Sequence, residues 1–77
     1  MNNTEILLNI IENIKAENIP AAQDDIMLLP DCKERSILYA TAGAINTQPT
    51  ERAYLGTKSA AISLADRLLG RIGDSRL

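Results

Sequence analysis

Residues 49–72 read PTERAYLGTKSAAISLADRLLGRI, and two periodic sets of side chains interleave along them. Small residues recur at three-, four- and seven-residue steps: Ala53, Gly56, Ala60, Ser63 and Gly70. A second set, Tyr54, Ala61, Ile62, Leu64, Ala65, Leu68, Leu69 and Ile72, fills the rest of the same turns. Steps of three and four place residues on one helical face, so the segment predicts one long helix over 49–72 with two surfaces to bury. One surface serves the chain's own core. The other, smooth and small, invites a second helix from this chain or from a partner.

Working back from that helix, Asn46-Thr47-Gln48-Pro49-Thr50 is the clearest junction in the chain. Asn46 suits a helix stop, Pro49 an early helical position, and Thr47 or Thr50 a cap. So short a connection predicts that the helix before it, 32–46, returns antiparallel as a hairpin. This third helix carries Ile37, Leu38, Thr41, Ala44 and Ile45 at apolar positions, beside a small stripe of Ser36, Ala40, Gly43 and Thr47. Gly43 costs a helix about 1 kcal/mol relative to Ala, which predicts close packing against it. With small stripes on both helices, their axes are expected to approach closely. Asp31, three residues ahead of Glu34, is the expected cap of this helix.

The N-terminal half follows the same grammar. Asn2 and Glu5 have capping-box spacing ahead of Ile6, Leu7, Ile10, Ile11 and Ile14, with Leu8 outside that stripe. Asn18-Ile19-Pro20 is expected to end the helix, because a residue before proline is pushed from the α region. The first helix is therefore read over 3–18. Pro20 can open a second helix over 20–29, whose apolar surface comes from Ala21, Ala22, Ile26, Met27, Leu28 and Leu29. A helical turn followed by an irregular loop is the alternative there.

Composition supports the all-α reading. The apolar residues are Ile, Leu and Ala almost throughout, with no Val, Phe or Trp and only Tyr39 and Tyr54 as aromatics. A chain of 77 residues predicts one domain, 1–77. At this size only about 60% of the unfolded surface is buried, so disulfides, a metal or self-association normally supply the balance. Cys32 is the single cysteine and there is no histidine, which leaves self-association as the expectation. Gly56, Ala60, Ser63, Leu55, Ile62 and Leu69 are the residues expected to form that interface in a homo-oligomer.

Charge is split along the chain. Residues 1–50 hold seven acids against Lys15, Lys33 and Arg35, whereas residues 51–77 hold Arg52, Lys58, Arg67, Arg71 and Arg76 against three acids. This pattern fits acidic and basic helices lying side by side, or a basic docking face for an acidic partner. Without histidine the commonest general base is missing, and no Ser or Cys stands in an activating motif. No catalytic residue, metal ligand or cofactor is assigned, and no enzyme is expected. A helix-turn-helix drawn over 21–46 has few base-reading donors, and the net charge of −2 opposes phosphate binding, so a nucleic-acid partner is not expected.

Lys58 falls within the large apolar arc, so its stem is expected either to reach past a partner helix to water or to meet an acid across an interface. Tyr39, Tyr54, Lys58, Arg67 and Arg71 are the partner-binding candidates, because tyrosines and arginines are favoured interface anchors. Met1–Glu5 lacks the positive start of a signal peptide, and no run approaches the roughly 20 apolar residues of a membrane span. With an unpaired cysteine, a cytoplasmic location is expected.

The reading is thus a small all-α bundle of three or four helices, ending in an antiparallel hairpin and oligomeric. In size and composition it resembles the accessory proteins of bacteriophages and bacterial secretion systems, antirepressors among them. That resemblance implies a non-enzymatic regulator, inhibitor or adaptor that occupies a partner protein's surface. A DNA-binding transcriptional regulator and a structural assembly subunit are the alternatives.

Overall fold

The computed structural model describes residues 2–73, which form four helices and no strand. They are α1 (Asn3–Lys15), α2 (Ile19–Ile26), α3 (Lys33–Ile45) and α4 (Glu51–Ile72). Each helix packs mainly on two others: α1 on α2 and α4, and α3 on α2 and α4. No helix among the described residues is long and apolar enough to cross a membrane.

Helix α1 starts as its capping box requires. The Asn2 side chain accepts from the Glu5 amide at 2.8 Å, and the Glu5 carboxylate accepts from the Asn2 amide at 3.1 Å. Its end comes three residues before the expected position. Ala16 caps the helix, and Glu17 takes the left-handed conformation at φ 64°. The Asn18 amide then donates to the Asn13 carbonyl, and the Glu17 amide to that of Ile14. This is the Schellman arrangement, built on a glutamate where glycine is usual. Ile19, although it precedes Pro20, begins α2 instead of breaking a helix, and its side chain is buried.

Helix α2 stops at Ile26, three residues earlier than the sequence pattern suggests. Met27 and Leu28 lie in the following turn and are exposed, whereas Leu29 returns to the core. Helix α3 is capped at Cys32 without a side-chain bond, so Asp31 is not its cap. The Asp31 carboxylate instead pairs with Arg35 at 3.2 Å. At α4, Thr50 is the cap and accepts from the Ala53 amide at 3.1 Å, with Pro49 lying before it.

The core is aliphatic. Leu7, Ile10, Ile14, Ile26, Leu38 and Ile45 are fully enclosed, each worth about 1.5–3 kcal/mol of burial. Ala22, Ala42, Ala61 and Ala65 are also fully enclosed. Tyr54, Ile62, Leu64, Leu69 and Ile72 pack half-buried against this cluster, as the large arc of α4 requires. Ile37, expected in the core stripe of α3, instead remains 42% exposed.

The expected close approach of two small stripes does not occur. Gly56, Ala60, Ser63 and Gly70 are exposed, on the side of α4 away from the core, and a Cβ built on Gly56 or Gly70 meets nothing within 4 Å. The reason is arithmetic: the arc holding Leu64, Leu68 and Ile72 has far more apolar area to remove from water. Ser36 and Ala40 of α3, and Thr47 in the turn after it, are exposed as well. Gly43 does have a close neighbour, the Gln23 side chain of α2, whose Nε2 lies 2.8 Å from where a Cβ would stand.

Candidate functional site

Four residues of α4 at helical spacing, Leu64, Arg67, Leu68 and Arg71, share one side of the helix. Opposite them stand Glu34 and Ile37, one turn apart near the start of α3. Together these six side chains line a groove of about 140 Å³. Leu68 is buried at its floor, Leu64 is half-buried, and Ile37 rises exposed from the α3 side.

The rim is charged. Arg71 donates to the Glu34 carboxylate, joining the last turn of α4 to the first turn of α3. That acid is held below its ordinary value of 4.5, first by a hydrogen bond from its own backbone amide at the helix start and then by the Arg71 charge. Arg67, one turn before Arg71, forms no ion pair among the described residues and is exposed. The groove therefore presents an aliphatic floor beside a free guanidinium and a second one shared with an acid.

Volume limits what can enter. Pockets for metabolites and cofactors usually enclose roughly 300–1,000 Å³. A space near 140 Å³ is close to a cavity that takes a single benzene-sized group. It suits one aliphatic side chain. Among the described residues, no group of three or more His, Cys, Asp or Glu is placed to hold a metal ion.

The remaining candidates lie elsewhere. The Lys58 ammonium meets the Glu17 carboxylate at 3.4 Å and stands 5.7 Å from the centre of the Tyr54 ring. Of the two expected fates of Lys58, water past a partner helix or an acid across an interface, it meets an acid, and that acid belongs to its own chain, on the left-handed residue after α1. Burial, and then the Glu17 carboxylate, raise the Tyr54 phenol above its ordinary 10.0. Tyr39 is 40% exposed, and its backbone carbonyl accepts from Gln23 Nε2 at 3.4 Å.

Of the residues expected at a self-association surface, Leu55, Gly56, Ala60 and Ser63 are exposed on α4, whereas Ile62 and Leu69 pack against the chain's own core. The structure therefore brings Arg67 and Arg71 together on one groove and sets Tyr54 beside Lys58. Sequence reasoning missed Glu34 as the partner of Arg71 and Ile37 as an exposed wall. The nearest signal was the one-turn spacing of Glu34 and Ile37, read there as the acid following the Asp31 cap and as core.

No family model matches the chain, and no curated protein or solved structure matches it. The fold and groove define a small all-α chain with a side-chain-sized, cation-rimmed recess.

Proposed function

We infer that this chain is a small non-enzymatic protein-binding regulator, acting by laying a helical surface on another protein. The observation that carries this reading is the recess between α3 and α4. Its aliphatic floor, charged rim and side-chain-scale volume match the way a helical or extended segment seats one anchor residue. The reading takes α3 and α4 as an antiparallel hairpin, supported by the pairing of Glu34 at the start of one with Arg71 at the end of the other. Arg67, with no ion pair among the described residues, is available to a carboxylate brought by the partner.

The test is a nuclease-treated pull-down from the native host's lysate, with wild-type and Arg67→Glu protein as parallel baits. One stoichiometric protein on the wild-type bait, lost from the variant, is the expected result. Recovery of no other protein on either bait would sink the regulator reading. Equal recovery on both would move the docking surface away from the groove.

A further inference from the structure

The outer side of α1 carries the complement of this groove. Leu8 is 48% exposed, an aliphatic side chain held away from the core that its neighbours Leu7, Ile10 and Ile11 build. Glu5 and Glu12 flank it at three residues before and four after, a spacing that keeps all three on one side of the helix. Both acids are exposed. Glu12 has no ion pair among the described residues, and Glu5 engages one carboxylate oxygen, Oε1, in the capping box. Lys15, also exposed, follows Glu12 by three residues.

The two surfaces match in shape and in sign. One offers a single aliphatic knob with two acids and one base around it. The other offers a recess of about 140 Å³ with two bases, Arg67 and Arg71, and one acid, Glu34. The recess is lined by α3 and α4 alone, so the α1 knob that fills it has to come from another molecule.

We propose that the groove between α3 and α4 is occupied, when no other partner is present, by the Leu8 face of α1 from a second copy of this chain. Leu8 seats on Ile37, Leu64 and Leu68, and Glu5 and Glu12 lie toward Arg67 and Arg71. This rests on the reading of the groove as a protein-docking surface and names its occupant. Knob and groove are different surfaces, so each contact is heterologous, and a regulatory target that reads the groove has to displace the second copy.

The test uses full-length chain in sedimentation velocity and native mass spectrometry over a wide concentration range. Variants are Leu8→Lys, Arg67→Glu, and the charge exchange Glu12→Arg/Arg67→Glu, each checked for wild-type helicity. Wild type associates with rising concentration. Either single variant alone loses association, its dissociation constant rising roughly tenfold or more, because Arg67→Glu breaks a close charge pair and Leu8→Lys brings a cation against Arg67 and Arg71. Mixed together, the single variants form one-to-one pairs and nothing larger, because one supplies the intact groove and the other the intact knob. The charge exchange restores self-association.

Single variants that assemble like wild type, or a mixture of folded variants that fails to pair, would overturn the proposal. So would a wild type that stays monomeric throughout, and that outcome would leave the regulator reading to its own pull-down. Assembly lost on Ala60→Leu and kept on Leu8→Lys would place the contact on the small stripe of α4, which also overturns it.

Discussion

Replacing Gly56 with alanine separates two uses of the small stripe on α4. Gly56 lies in the second turn of a 22-residue helix, and an added Cβ there meets nothing within 4 Å. Its only effect within the chain is on backbone entropy, and alanine is favoured over glycine in a helix interior by about 0.8–1.0 kcal/mol. For a domain of this size 1 kcal/mol moves the thermal midpoint by roughly 4–8 °C, so Gly56→Ala is expected to raise Tm by about 4 °C or more. Gly70→Ala also meets nothing but stands near the helix end, where the gain is smaller. Gly43→Ala is the internal contrast. Its Cβ would displace Gln23 Nε2 from 2.8 Å and cost the 3.4 Å bond from Gln23 to Tyr39, offsetting most of the gain in propensity. The assay is thermal and urea unfolding followed by helical circular dichroism at several protein concentrations. A Gly56→Ala protein that is less stable than wild type, by a margin that grows with concentration, would refute the reasoning, because a second helix would then have to cover the stripe.

Four further outcomes follow from particular contacts. Glu17→Gly relieves a left-handed glutamate, a conformation costing roughly 1–2 kcal/mol, and sacrifices an exposed ion pair worth about 0–1 kcal/mol; a net gain of about 0–2 kcal/mol in urea unfolding is expected, and a clear loss would contradict the backbone assignment. Thr50→Ala removes the side-chain cap of α4 and should cost about 1 kcal/mol by the same measurement. Ala65→Leu forces extra carbons into a fully enclosed position and should cost about 1–3 kcal/mol, with a wild-type midpoint arguing against the packing described. Glu34 has a lowered folded pKa, so its contribution is present above the ordinary value of 4.5 and is lost as pH falls through the lower folded value; Glu34→Gln should therefore flatten the acid limb of the stability–pH curve and leave its neutral-pH slope unchanged.

The existence and type of α1, α3 and α4 were legible because each repeats apolar residues at three- and four-residue steps, and the Asn2–Glu5 box is a purely local signal. The end of α1 was not. The residue that turns the chain is Glu17, and nothing in a glutamate announces a left-handed conformation. Pro20 misled for a related reason: the bias against helix in the preceding residue is local, whereas Ile19 is held by burial in the core. Periodicity showed that Gly56, Ala60, Ser63 and Gly70 share a side of α4, but spacing alone does not say which side turns inward. That choice depends on the area removed from water over the whole chain, which favours the leucine arc. At the candidate site, Arg67 and Arg71 were already among the partner-binding candidates. Glu34 is 37 residues from Arg71, and only the packing of α3 on α4 brings them together.

The most direct test of the groove as a protein-docking surface is site-specific photo-crosslinking in native lysate. A photoreactive side chain replaces Ile37 in the groove wall and, as control, the exposed Ser59 on α4. A discrete protein adduct from position 37, absent from position 59, is the expected result, and its mass reports either a second copy or another protein. Equal labelling from both positions, or no protein adduct from position 37, would contradict the account.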